Sequence, residues 1–457
     1  MGQPRYPLER LFGRVLSPFE RFLRRTTAGG IILVGTTVIT LALAMALGGD
    51  TLLRLWDTPL AVAAGERYRL EMPLQHWVND GLMAFFFLLV GLELKREVLV
   101  GELSSLKDAA LPIAAAVGGM IVPGLVYAAF NAGTPTASGW GIPMATDIAF
   151  AIGILVLLAW RVPRNLIIFL TALAIADDLG AVLVIALFYT ARLDPGSLAA
   201  AATFLALLVL LNRGGIRHPL PYALVGVLLW LAVHASGVHA TLAGILLALT
   251  IPARPTSTPA QFEQRIEALH AEFRADRRDL GTPDDPLSNE RMASIAEEME
   301  QSAASVQSPL QRIEHSLTPW VTFLVIPVFA LANAGIDLTT IAWSQALMNS
   351  VTLGVLAGLV IGKFVGIGLF SWTAVRLGLA RLPSGVEWRH LLGAAWLGGI
   401  GFTMSLFIAQ LAFRDPVLVE EAKLGILLAS VIAAAIGLTW LMWASTSRSA
   451  PEPREHA

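Results

Sequence analysis

The chain has 457 residues, 55% hydrophobic and 14% charged, with a mean hydropathy of +0.66 and a formal net charge of −2. Average soluble domains carry about 25% charged residues, so this composition excludes a soluble fold, and the near-neutral balance points to no nucleic-acid partner. With no cysteine, disulfides and thiolate metal sites are excluded as well.

A hydrocarbon core about 30 Å thick takes about 20 apolar residues per helix. The hydropathy pattern predicts spans at 28–48, 78–97, 109–130, 137–160, 165–189, 196–212, 220–235, 238–252, 319–335, 345–372, 391–413 and 420–443. The first follows six arginines (Arg5, Arg10, Arg14, Arg21, Arg24 and Arg25); it is long enough to span and more spans follow, so it reads as a membrane helix rather than a cleaved signal. With the N-terminus in the cytoplasm, Lys95, Arg96, Lys107, Arg161, Arg164, Arg213, Arg217, Arg376, Arg381, Arg389 and Arg448 all fall on the inner side, as the positive-inside bias requires. An even number of spans returns the C-terminus there.

Ionisable residues inside spans are rare and usually face a bundle interior or an aqueous cavity. The second span holds Asp80 and, near its inner end, Glu93, Lys95, Arg96 and Glu97. The fourth contains "GWGIPMATDIAFAIG", where Gly141 and Pro143 precede Thr146 and Asp147. Glycine and proline weaken helices, and unwound backbone survives at membrane depth only where protein or water satisfies its polar groups. The fifth span, "FLTALAIADDLGAVLVIALFY", carries Asp177 and Asp178 side by side. A carboxylate at mid-bilayer costs about 2.5–3.5 kcal/mol on an insertion scale, and adjacent helical residues point about 100° apart, so both can flank one narrow cavity. Two such neighbours cannot both ionise cheaply, so the pair holds and releases protons. Deprotonated, the same oxygens are hard ligands for a small cation. Protons and a cation competing for one set of oxygens is the minimal machinery of cation/proton exchange.

Residues 253–318 break the pattern, with twelve acidic residues against seven arginines. Phe262, Ile266, Leu269 and Phe273, then Met292, Ile295 and Met299, fall at helical spacing, with "GTPDDP" between them as a turn. The segment is expected to be a cytoplasmic charged helical insert between an N-terminal membrane part (1–252) and a C-terminal one (319–444), with 445–457 a cytoplasmic tail. Ser308, Pro309 and Gln311 make a capping-box start for the next helix. In the tenth span, Gly354, Gly358, Gly362 and Gly366 recur every fourth residue, a close-packing face. Lys363 sits among them and is the basic partner available to a buried aspartate. "GLVIGKF" lacks the spacing of a phosphate-binding loop, and no cofactor is implied. The eleventh span contains "LGGIGFTMSLFIAQ", where Gly398, Gly399 and Gly401 precede Thr403 and Ser405, a second interrupted helix. If both helices break, Asp147 near half-helix N-termini and Lys363 near C-termini would be favourably placed.

The motifs "FFLLVGLELKRE", "ATDIAFA", "ALAIADDLGA", "SGVHATLAG" and "GFTMSLFIA" resemble, in order and register, the bacterial NhaA-type sodium/proton antiporter family. The resemblance covers all spans and fails only over the insert. It implies an all-α polytopic membrane protein of about 12 transmembrane helices, with inverted-topology repeats, the first over 109–189, and discontinuous helices at spans four and eleven; this family is itself a standard instance of that architecture. It further implies Asp178 as the main cation ligand and proton carrier, Asp177 as its neighbour able to pair with Lys363, and Thr146 and Asp147 as part of the cation/proton site. Exchange would be electrogenic, expelling Na+ or Li+ from a bacterial inner membrane as H+ enters, in a homodimer. Activation at alkaline pH is attributed in the family to positions matching Glu93, Arg96, Glu97, Glu314 and His315. His239, in "SGVHATLAG", is a further modulator candidate because histidine titrates near neutrality. Where the family pattern carries another histidine this chain has Thr318.

Two other classes compete. A sodium-coupled solute symporter would cradle an organic substrate between its broken helices, whereas an antiporter releases protons when sodium alone is added. An intramembrane aspartyl protease also uses two membrane aspartates, but on separate helices in distinct motifs, whereas Asp177 and Asp178 are adjacent.

Overall fold

The structure, a computed structural model, describes residues 28–64, 68–190, 193–279, 290–339 and 341–445. The N-terminal arginines, Arg67, the "GTPDDP" turn and Arg448 lie outside the described residues. The chain runs α1 (Ala28–Leu47), α2 (Gly49–Trp56), a β-hairpin, a π-helical turn (Trp77–Leu82) into α3 (Met83–Val100), and α4 (Leu106–Asn131). A 3-10 helix (Pro135–Met144) then precedes α5 (Ile148–Leu157), followed by α6 (Arg164–Phe188), α7 (Pro195–Arg213), α8 (Pro219–Ala235) and α9 (Leu242–Thr250). After α10 (Pro259–Asp279) and α11 (Glu290–Val306), α12 (Pro309–Trp320) passes through a π turn (Val321–Val325) into α13 (Ile326–Asn333). The last group is α14 (Ser350–Ala357), a π turn (Gly358–Gly362), α15 (Lys363–Arg376), α16 (Trp388–Leu397), α17 (Phe402–Ala412) and α18 (Pro416–Ser445).

Among the described residues eight helices are long and apolar enough to cross a membrane, or nine if α16 and α17, bent by 47°, count as one span. The predicted spans at 78–97, 220–235 and 238–252 fall outside that count. The first ends in four charged residues, the second forms a 17-residue helix, and the third contains a helix of only nine. Apolar side chains point outward along the bundle, as with Val38, Leu125, Leu183, Leu210 and Val431, each more than half exposed, the inverse of a water-soluble surface. One departure from an all-helical chain lies in the first loop, where Pro59–Ala64 pairs antiparallel with Tyr68–Pro73.

Helix ends follow local chemistry. Asp194 accepts the Ser197 N–H at the start of α7, and hydrogen bonding from Ser197 holds that exposed carboxyl below the usual carboxylate range. Ser308 and Gln311 form the predicted capping box, but the helix they begin continues through the π turn to Asn333, so 309–318 are the first turns of a spanning helix. Lys95 Nζ donates to the carbonyls of Leu249 and Ile251 at 2.7 and 2.5 Å, satisfying the C-terminal end of α9. In the insert, α10 and α11 pack together with Leu269 and Ile295 buried, and Arg265 pairs with Glu298 on the surface.

Small residues bring the central helices to backbone contact. A Cβ on Gly118 would meet the Gly366 carbonyl and one on Gly366 the Gly118 carbonyl, so α4 and α15 touch where neither has a side chain. Gly362 lies against Pro123 and Gly358 against Pro143; the four-residue glycine spacing is a packing face. A second core joins α7, α8 and α9 to α3 through Leu92, Leu208, Leu229 and Ala248.

Candidate functional site

The chain unwinds twice, and the two breaks touch. After the 3-10 helix, Ala145 and Asp147 are extended before α5 begins, and Gly398 to Gly401 separate α16 from α17. The Asp147 N–H donates to the Ile400 carbonyl at 2.6 Å, the Thr146 hydroxyl to the Gly398 carbonyl at 2.8 Å, and the Ser405 hydroxyl to the Ile142 carbonyl at 2.8 Å. Each break thus satisfies backbone groups of the other, the condition for irregular backbone in an apolar setting. Glycine is required at this approach. A Cβ on Gly399 would meet the Leu359 carbonyl, and one on Gly401 the Ser405 hydroxyl and Ala145 carbonyl. The Gly141 N–H donates to the Tyr189 hydroxyl, which in turn donates to the Ser138 carbonyl and anchors the 3-10 segment.

Asp147, fully enclosed, serves two helices at once. It accepts from the Phe150 N–H of α5 at 3.0 Å, and from the N–H and hydroxyl of Thr403 at the start of α17 at 3.0 and 2.5 Å. One carboxylate therefore meets the positive ends of two helix dipoles.

Lys363 Nζ donates to Asp177 Oδ2 at 2.5 Å, and both side chains have no exposure. The lysine opens α15 directly after a π turn, and α4 flanks its stem at Gly119. Thr146 lies beside Asp177. Asp178 is equally buried, and neither of its oxygens has a hydrogen-bond partner among the described residues; the same holds for Asp177 Oδ1. The charged groups acting on Asp178 are Asp177, Asp147, Lys363 and Glu93. Three oxygens without donors beside one ammonium suit a small hard cation or a proton. Among the described residues no three acidic, histidine or cysteine side chains stand close enough to hold a resident metal ion, so a cation there would need water or Thr146 to complete its shell.

The other sequence candidates fall into two groups. Arg96 lies 3.4 Å from Glu314 and 3.5 Å from Glu97, with Glu93 acted on by all three. Glu314 Oε2 is buried with no hydrogen-bond partner among the described residues. His315 is exposed, its Nδ1 3.2 Å from the Gln311 carbonyl, and the Thr318 hydroxyl donates to the Glu314 carbonyl. His239 belongs elsewhere. With His234 it flanks Asp80 in the π turn ahead of α3, at 3.8 and 3.7 Å, and its ring meets Phe407 of α17 edge-on. His234, stacked on Trp230, escapes sequence reading because a lone histidine in an apolar run carries no spacing signal. The three π turns escape it too, since an inserted residue leaves hydropathy unchanged.

A family model described as Na+/H+ antiporter 1 matches residues 20–441. The Na(+)/H(+) antiporter NhaA of Syntrophobacter fumaroxidans is 64% identical over 448 residues, covering 98% of this chain and 94% of that protein. The antiporter of the same name from Acidithiobacillus ferrooxidans is 59% identical over 434 residues, covering 95% and 99%. The Na(+)/H(+) antiporter NhaA 1 of Saccharophagus degradans is 49% identical over 434 residues, covering 95% and 93%.

Proposed function

The chain belongs to the Na+/H+ antiporter 1 family, and from that premise we propose that it expels Na+, and Li+, in electrogenic exchange for incoming H+ by alternating access. It is a membrane transporter of Na+ and H+ and not an enzyme. The bilayer is a bacterial inner membrane, crossed about twelve times with both termini inside, and the α4–α6 and α14–α18 regions form the inverted repeats. A homodimer belongs to the same reading.

Asp178 is the exchanging group, because its oxygens alone among the central carboxylates lack any donor or cationic partner within hydrogen-bond distance among the described residues. That single observation carries the assignment. Asp177 shares the cation and is released to do so when its bond to Lys363 opens; Thr146 and Asp147 complete the site and hold the two broken helices in register. Glu93, Arg96, Glu97, Glu314 and His315 adjust activity with pH, with His239 acting from the other end of α3.

The test is Asp178→Asn in everted vesicles. Added sodium should no longer dissipate an imposed pH gradient, and retained dissipation would remove Asp178 from the mechanism. The adjacency of Asp177 and Asp178 on one helix also disfavours the protease reading, which needs the two carboxyls brought from separate helices.

A further inference from the structure

We infer that Tyr189, at the end of α6, is a positioning residue for the cation site: its hydroxyl ties the 3-10 segment to α6 and so fixes the spacing between Thr146 and Asp178. The inference rests on the antiporter reading, in that it takes those two residues to share the cation.

Tyrosine hydroxyls from both flanking helices grip the backbone of the segment Pro135–Met144. From α4 the Tyr127 hydroxyl donates to the Thr136 carbonyl at 2.8 Å. From the end of α6 the Tyr189 hydroxyl donates to the Ser138 carbonyl at 2.7 Å and accepts the Gly141 N–H at 3.2 Å. Residues three apart are the two halves of one rung in a 3-10 helix, so the Tyr189 hydroxyl bridges the Ser138–Gly141 rung from outside. Each ring fits because a glycine faces it: a Cβ on Gly139 would meet the Tyr127 hydroxyl, and one on Gly141 the Tyr189 hydroxyl at 2.6 Å. Phe188 adds an edge-on contact with Trp140, the ring centroids 5.1 Å apart.

The tie joins two elements that supply the site. Tyr189 continues α6 without a break, its N–H bonded to the Ile185 carbonyl, and lies eleven residues from Asp178, about 16.5 Å along the helix. Gly141 precedes Thr146 by five residues, through Met144 and the extended Ala145. Bonds made by Thr146, Asp147 and Ser405 secure this stretch to the second broken helix; the Tyr189 hydroxyl secures it to α6.

The hydroxyl is not needed to satisfy the backbone. Without it, the Ser138 carbonyl and the Gly141 N–H can pair with each other along the 3-10 ladder, and no buried group is stranded. What is lost is the spacing. Selectivity between ions of one charge depends on the size and flexibility of the oxygen cage. A held spacing keeps the oxygens from closing on a smaller ion, and a released one lets them contract onto Li+ while Na+ loses its fit.

Tyr189→Phe removes the hydroxyl and keeps the ring. In everted vesicles its KM for Na+ should rise roughly three- to tenfold, the equivalent of one neutral hydrogen bond, with a smaller rise for Li+ and kcat near parental. Gly141→Ala presses a methyl on the same hydroxyl. It should move the ratio of the two KM values the same way, yet add little on the Tyr189→Phe background, where the opposing atom is gone. Tyr222→Phe is the control: its buried hydroxyl donates to the Ile216 carbonyl at 2.9 Å in the second core, and both KM values should stay parental. Should Tyr189→Phe not insert, calorimetric Na+ and Li+ affinities of purified Gly141→Ala read the same ratio. A parental Na+ to Li+ ratio in both Tyr189→Phe and Gly141→Ala, or an equal shift in Tyr222→Phe, would overturn the positioning role. A parent protein that moves no protons on addition of either cation would instead overturn the antiporter reading.

Discussion

Asp147 shows how much one buried carboxylate can organise. Its oxygens accept from Phe150 on one broken helix and from Thr403 on the other, so its removal uncaps two helix starts. Asp147→Ala should destabilise by roughly 1–4 kcal/mol, twice the about 0.5–2 kcal/mol of a single cap, with Asp147→Asn intermediate because its one carbonyl oxygen cannot serve both ends. Thermal unfolding of the purified variants checks the order, and equal loss in both would refute the double-cap account. Lys363 acts differently, because its removal leaves a charge rather than an orphaned helix end. Lys363→Ala strands Asp177 without its partner, a loss of about 3–5 kcal/mol for a buried pair broken on one side. Protonation neutralises the stranded carboxylate, so the variant's deficit against the parent should shrink as pH falls and grow as it rises. A deficit independent of pH would mean that the loss comes from the missing packing of the lysine stem and not from a stranded charge. The Asp177–Asp178 doublet and Lys363 were legible in the sequence because ionisable residues stand out in apolar spans. Their pairing was expected only through the family resemblance, since no spacing rule connects α6 to α15.

At the scale of elements, α4 and α15 hold the site by having no side chains where they cross. Gly366→Leu would drive its side chain into the Gly118 carbonyl, separating the helices one turn from Lys363 and pulling the ammonium away from Asp177. The expected result is lost transport together with lowered thermal stability, and a Gly366→Leu protein with parental transport would show that this contact does not position the lysine. The glycine repeat was readable as a packing face from its four-residue period, and its partners Pro123, Pro143 and Gly118 emerge only in three dimensions. The π turn at Gly358–Gly362, directly before Lys363, had no signal in hydropathy. It shifts the azimuth of everything after it, including the lysine. The two helix breaks were anticipated because glycine and proline cluster ahead of Thr146 and Thr403. That each break satisfies the other's backbone follows from the crossing, which local sequence does not encode.

Across the whole molecule, the site sits within a bundle to which the charged insert contributes no part of the central carboxylate cluster. The insert's two ends are tied to each other: the N–H groups of Thr256 and Ser257 both donate to the Ser305 carbonyl, and the Ser305 hydroxyl donates to that of Ser257. Its root is held separately, by Arg217 donating to the Pro255 carbonyl and the Leu310 N–H to that of Pro252. Because the ends already meet, replacing residues 257–306 by a short Gly/Ser linker asks for no rearrangement of the flanking helices, and loop-closure cost changes only with the logarithm of length. The capping box at Ser308 and Gln311 remains to start α12, which carries Glu314 to Arg96. The shortened protein should therefore insert normally and dissipate a pH gradient on addition of sodium at close to the parental rate. Any change should appear in how that rate varies with pH, since α12 holds Glu314 and His315 directly after the excised segment. Correct insertion with complete loss of exchange would show instead that α10 and α11 take part in the transport cycle.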